Sequence, residues 1–252
     1  MNQNRYVIHL SYLGTNYGGW QIQENSRTIQ GDIMSGLKIL LNQNIELIVG
    51  VGRTDAGVHA SNFFAHFDFN ELFNITELTY KLNRFLSDKI VIHYIKPISK
   101  NFHARFSAVS RSYEYLICTE KNPFLINRAY FFFKRLNLDI MNQASLILIG
   151  ENNFSSFSKS NKENTICCVK SAEWNKKKEI ISFSIESDRY LYNMVRCIVG
   201  TLIDLGLEKI NLNQFIDIIK SGDRKQAGIS VPAQGLYLVN IRYPKNFSLE
   251  II

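Results

Sequence analysis

The chain has few of the residues that mark redox, metal or secreted proteins. Of 252 residues only four are cysteines, Cys118, Cys167, Cys168 and Cys197, and none form a C-x-x-C pair. That argues against disulfides and zinc and for reduced thiols in the cytosol. The five histidines, His9, His59, His66, His93 and His103, include no i, i+4 pair of the kind that holds a metal on a helix. No stretch approaches the ~20 apolar residues that span a membrane. The opening Met1-Asn2-Gln3-Asn4-Arg5 has no apolar signal core, so a cytoplasmic protein is expected. The triplets Asn74-Ile75-Thr76 and Asn153-Phe154-Ser155 then carry no meaning as glycosylation sites. Low-complexity stretches are also lacking.

Acidic residues are outnumbered, 22 Asp and Glu against 29 Lys and Arg, for a formal charge of +7. Such a balance suits a polyanionic partner or a solvated basic surface, and charge does not separate the two. With 46% hydrophobic residues, the chain can bury one large core or two small ones.

Periodicity supplies the organisation. Arg5–Leu13 alternates Tyr6, Ile8, Leu10 and Tyr12 as a strand does. Residues 28–42 carry Ile29, Ile33, Leu37, Leu40 and Leu41 at helical spacing, with Thr28 as cap. A short strand follows at 45–51, a strand at 61–69, a helix at 76–86 and a strand at 89–98. The order is β-α-β-β-α-β, and the second half repeats it. Its strand 108–118 precedes a helix 138–150 closed by Gly150, and a hairpin 165–174/179–187 turns around Asn175-Lys176-Lys177-Lys178. Helices 192–206 and 212–221 and a strand 235–243 complete it. The expected class is α+β: two tandem ferredoxin-like halves, 1–101 and 102–252, hinged near Lys100–Phe106. Their sheets would join around a central cleft, with helices on the outer faces.

One loop stands out. Gly50-Val51-Gly52-Arg53-Thr54-Asp55-Ala56-Gly57 begins like a dinucleotide fingerprint, but Asp55 occupies the third glycine position, and no Gly-Lys-Ser/Thr follows. It offers a carboxylate between glycines at a strand end, with Arg53 two residues before. Such a carboxylate is a nucleophile or base kept ionised by its neighbour, or the side chain that caps its own turn.

The chain resembles the tRNA pseudouridine synthase A family. Gly52-Arg53-Thr54-Asp55-Ala56-Gly57-Val58-His59 is similar to the family signature. The runs 102–108 (Phe102-His103-Ala104-Arg105-Phe106-Ser107-Ala108) and 111–115, with Tyr113, resemble its second motif. Met194-Val195-Arg196 with Ile198–Leu202 resembles the third, and Gly235–Val239 the closing strand. Tyr12, Gly14, Tyr17, Gly19, Trp20 and Gln21 resemble the family's opening. Ser87 stands where the family is expected to have proline, which touches a turn and not the chemistry.

The resemblance implies an isomerase that converts uridine to pseudouridine in the anticodon stem-loop of tRNA, at positions 38, 39 and 40. No metal or cofactor is involved, and the enzyme works as a homodimer. It implies Asp55 as the catalytic carboxylate, attacking C1′, deprotonating C2′ or attacking C6. Tyr113 would stack on or near the target uracil, Arg53 fill the gap of the flipped base, and Arg196 pair with Asp55. Tyr115 lies two residues from Tyr113 on the same strand face, so spacing leaves the two equivalent. His59 and His103 are expected to make structural hydrogen bonds, and His93 to pack. Tyr80-Lys81, Arg84, Arg105, Arg111, Lys134-Arg135 and Lys176–Lys178 could follow phosphates, the last run being equally a solvated hairpin tip. Two other readings compete. One is a catalytically idle RNA-binding double module; the other is a metal- or nucleotide-dependent enzyme.

Overall fold

A computed structural model describes residues 4–43, 45–158 and 164–249. The first three residues of the opening Met1–Arg5 segment lie outside these. The protein is α+β. Its contacts divide it into two compact units, Met1–Val109 with Leu238–Ile252, and Ser110–Tyr237. Compared with the sequence boundary at 101/102, residues 102–109 and the last fifteen group with the first unit. The reason is visible in that unit's packing.

The first unit contains β1 (Asn4–Tyr12), α1 (Ile29–Leu41), β2 (Ile48–Gly50), β3 (His59–Phe69), α2 (Ile75–Phe85) and β4 (Ile90–Ile98). Strand β1 lies between β4 and β3, and β2 borders β3; every pairing is antiparallel. Thr28 caps α1 as its sequence suggests, its side chain accepting from the Gly31 N–H. Asn42 ends the helix in the left-handed region at φ 52°. A side chain at Gly36 of α1 would meet Leu82 and Phe85 of α2, so glycine sets how closely the two helices pack.

Alternation in β3 suggests a half-buried strand, yet Asn62 to Phe67 are buried without interruption. Both faces are covered. On one, Phe63 stacks on Trp20 at 4.2 Å and meets Tyr12 at 5.4 Å. On the other, Phe64 meets Tyr243 edge-on and His66 meets Phe102. Phe102 in turn packs on Tyr243 and Phe247. Tyr243 Oη donates to the Ala104 carbonyl at 2.6 Å. The linker and the C-terminal segment therefore roof this sheet, which is why they group with the first unit.

The second unit holds β5 (Ser110–Cys118), β6 (Tyr130–Phe131), α3 (Leu138–Ile147), β7 (Gly150–Asn153), β8 (Ile166–Lys177), β9 (Ile180–Ser187), α4 (Met194–Gly206) and α5 (Leu212–Ser221). A further strand, β10 (Leu236–Arg242), runs across the boundary between units. The order β5-β9-β8-β7 is antiparallel throughout, and the short β6 runs parallel to β5. Asn142 of α3 is tied to β8 at both ends of its amide, donating to the Trp174 carbonyl and accepting from the Trp174 N–H. Asn211 and Gln214 form a reciprocal capping box at α5.

Three expectations are corrected here. The β8–β9 turn is the two-residue Lys178-Glu179, not a loop at 175–178, because Lys177 still pairs with Ile180. Lys178 takes φ 54°, as tight hairpins require. Helix α3 ends at Ile147, with Leu148 as its cap. Gly150, at φ 100°, instead starts β7, a strand the periodicity did not suggest.

Candidate active site

The Asp55 loop joins β2 to β3. The Val51 N–H still donates to the Phe64 carbonyl at 2.8 Å, after which the chain leaves the ladder. The Val58 N–H donates to the Asp55 carbonyl at 3.1 Å, closing a four-residue turn. Gly57 sits at its third position with φ 79°, the left-handed geometry that a type II turn assigns to glycine. The main chain closes this turn, so the turn itself does not call for a carboxylate at 55. Asp55 is half-buried and Arg53 exposed.

A second segment, residues 12–20, grips the loop. Tyr12 Oη and Thr54 Oγ1 hydrogen-bond at 2.8 Å inside the protein. The Trp20 N–H donates to the Thr54 carbonyl, and the Gly57 N–H to the Tyr17 carbonyl. The Gly14 N–H donates to His59 Nδ1 at 2.9 Å. These bonds bracket Asp55 on both sides in sequence. Close approach explains two glycines: a Cβ on Gly14 would strike the Val58 carbonyl, and one on Gly19 the Thr54 carbonyl. Gly19 also has φ 97°.

In the second unit, Tyr113 and Tyr115 are neighbours on β5 but differ in environment. Tyr115 is fully buried and its hydroxyl donates to the Pro232 carbonyl at 2.8 Å. Burial pushes that phenol's pKa well up; Tyr130 adds to the shift and the Arg196 charge opposes it. Tyr113 is half-buried and meets the Tyr190 ring edge-on, centroids 5.0 Å apart. Tyr190 is itself pinned, its hydroxyl shared between the Arg111 and Ile185 carbonyls. Spacing made the two tyrosines equivalent; packing does not. Tyr115 is a core residue, and Tyr113 leans on a fixed aromatic wall.

Arg196 lies in the first turn of α4. Its Nε donates to the Val231 carbonyl at 2.7 Å, and the Val231 N–H donates back to the Arg196 carbonyl. Arg196 and Tyr115 thus bond to consecutive carbonyls. The segment 228–232 can lie this close because Gly200 offers no side chain where the Ile229 carbonyl approaches. Gly228 donates its N–H to Thr201 Oγ1. Asn193 and Arg224 both bond to Ser230 Oγ, fixing the segment's other edge.

Of the proposed site residues, Asp55 and Arg53 share one loop of the first unit, and Tyr113 and Arg196 belong to the second. Sequence reasoning did not single out Tyr12, Thr54, Gly14 and Gly19 as the loop's supports. The signal was present in the run Tyr12–Gln21, but the contact it makes is with residues some forty positions away.

The histidines serve structure. His59 Nδ1 accepts from Gly14, and His103 Nδ1 accepts from the Arg105 and Phe106 N–H groups. His9 stacks on Phe64 and bonds to Asn62 Oδ1. His93 packs on His9 and bonds to Ser11 Oγ. Desolvation brings His9 and His66 each down to about 4.

Residues 144–244 match the family model described as tRNA pseudouridine synthase. Proteins named tRNA pseudouridine synthase A are similar along nearly the whole chain. One from Azobacteroides pseudotrichonymphae genomovar. CFP2 is 47% identical over 243 residues, spanning 96% of this chain and 97% of the relative. One from Parabacteroides distasonis is 42% identical over 244 residues, 96% of each. One from Thermoanaerobacter pseudethanolicus is 42% identical over 241 residues, 94% of this chain and 98% of the relative.

Proposed function

The chain belongs to the tRNA pseudouridine synthase A family, isomerases that convert uridine to pseudouridine in tRNA, and from that premise we propose which uridines it converts and how. Its targets are uridines 38, 39 and 40 in the anticodon stem-loop. The N1–C1′ bond breaks, the freed uracil rotates, and a C5–C1′ bond forms; C5 loses its proton and N1 gains one. Asp55 is the carboxylate on which this depends, as nucleophile toward C1′ or C6 or as base at C2′. Tyr113 stacks on the uracil, Arg53 fills the space of the flipped base, and Arg196 pairs with Asp55. Base flipping costs a few kcal/mol, and a planar guanidinium in the vacated stack offsets part of it. The enzyme works without metal or cofactor, as a cytoplasmic homodimer.

The observation that carries this reading is the support of the Asp55 loop. A loop whose turn is closed by its own main chain is nevertheless held by Tyr12, Gly14, Tyr17 and Trp20. Such investment fits a carboxylate that must be aimed. Strand order favours two tandem ferredoxin-like halves, 1–101 and 102–252. The first unit runs β4-β1-β3-β2, with helices after β1 and β3, and the second has β5-β9-β8 in the corresponding 1-3-2 arrangement.

Tritium release from a tRNA transcript labelled at uridine C5 tests the chemistry. Wild type is expected to release label and Asp55→Asn to release none while still binding tRNA. Turnover by Asp55→Asn would overturn the role of Asp55. Tight tRNA binding by wild type with no release would favour an idle RNA-binding module.

A further inference from the structure

The second unit carries a basic groove that the isomerisation chemistry does not use. It has a volume of about 770 Å³. Lys134, Arg135 and Lys176 line it, with Phe133 beside them. All three cations are exposed, and none forms an ion pair among the described residues. Asp139 and Glu208 also line the groove, leaving three cations against two carboxylates. Lys177 and Lys178 extend the positive side along the β8–β9 tip. Phe133 is 74% exposed and meets the Phe131 ring at 6.4 Å, so an open aromatic face stands beside the cations, as base and sugar stacking needs.

The groove is remote from Tyr113 and Arg196 within the same unit. Thr119, in its lining, directly follows the end of β5 and lies six residues beyond Tyr113, roughly 20 Å at ~3.3 Å per residue of extended chain. Gly206, also in its lining, ends the helix that begins beside Arg196, ten residues or roughly 15 Å away. Base pairs rise ~3.4 Å each in B-form DNA and less in the A-form helix of RNA, so the groove is about five base pairs or slightly more from a base held at Tyr113.

We propose that this groove is a second tRNA contact, in which Lys134, Arg135 and Lys176 hold sugar-phosphate backbone about five base pairs from the target uridine and Phe133 packs on exposed sugar or base. The inference rests on the reading of the chain as an enzyme acting on tRNA. Cations in an open groove with an aromatic at its rim fit a backbone that presents phosphate oxygens and little sequence information. The groove gives affinity and register; the choice of base stays with the Asp55 loop.

The test is full-length tRNA binding by fluorescence anisotropy between 50 and 200 mM salt. It compares wild type with K134Q/R135Q/K176Q and with K38Q/K220Q/K245Q, which removes equal charge from exposed positions elsewhere. Each phosphate contact accounts for a ~3-fold affinity loss over that range, so wild type should weaken roughly 20- to 40-fold more than the groove variant. The remote-surface variant should keep the wild-type salt dependence. On a hairpin with only three base pairs, the groove variant and wild type should bind alike. Equal salt dependence in all three proteins, or an undiminished effect on the short hairpin, would refute the groove. Binding is read directly, so a protein that bound through the groove but released no tritium would keep this proposal and refute the isomerase reading.

Discussion

The main-chain N–H of Gly14 donates to Nδ1 of His59 across 2.9 Å, and neither group reaches solvent. The bond joins the end of β1 to the start of β3 and so fixes one side of the Asp55 loop. The acceptor role of Nδ1 also places the neutral ring's proton on Nε2. A methyl group at Gly14 would meet the Val58 carbonyl, which is backbone and cannot swing aside. Gly14→Ala is therefore expected to cost about 1–3 kcal/mol and to abolish most turnover. Urea denaturation and tritium release check it; wild-type values in both would show that the loop tolerates the displacement.

Tyr12 reaches the same loop through its hydroxyl, 2.8 Å from Thr54 Oγ1. Tyr12→Phe keeps the ring on Trp20 and Phe63 and loses the bond beside Asp55. The expected stability loss is about 1 kcal/mol, with kcat lowered and KM for tRNA unchanged. A rise in KM at constant kcat would mean that Tyr12 supports binding and does not aim the carboxylate.

Tyr113 and Tyr115 should separate cleanly. Tyr115→Phe leaves the Pro232 carbonyl without its donor and is expected to cost about 1 kcal/mol of stability. Tyr113→Leu, which removes the stacking ring, is expected to lower turnover far more than it shifts the denaturation midpoint, the shift reflecting the lost contact with Tyr190. The reverse pattern would make Tyr115 the functional tyrosine.

Acid should destabilise the first unit. His9 and His66 are brought down to about 4 by desolvation, whereas an unfolded chain titrates them near ~6.5. Between those values the unfolded chain holds more protons, so stability falls as pH falls through that window and is fully present above it. His66 has a further reason: its Nδ1 accepts the Ala104 N–H at 3.1 Å, and protonation removes that acceptor. The urea midpoint is expected to drop from pH 7.5 to pH 5, and His9→Gln to shrink the drop. An equal drop in the variant would exclude His9 as a contributor.

Much of this was written locally. Alternation marked β1, helical spacing marked α1, and Thr28 announced its cap, because each depends on neighbours within about four residues. The same locality explains the misplaced turn. Asn175, Lys176 and Lys177 read as a loop by composition, but facing pairs such as Trp174 with Phe183 carry the ladder on to Lys177. Strand β7 escaped notice because Gly-Glu-Asn-Asn has no strand composition and is held by its pairing to β8.

By itself the sequence determined most of the strand and helix order, β6 and β7 excepted, together with the family and the residues that carry its motifs, since these are properties of types and spacings. Only the tertiary structure decided what surrounds them. It put the segment 12–20 against the Asp55 loop and buried both faces of β3 under Phe102 and Tyr243. It also sank Tyr115 into the core while leaving Tyr113 half-exposed. The physical reason is range. Periodicity reports which side of an element is apolar; what covers that side comes from chain tens of residues away, where packing and hydrogen-bond geometry have the final word.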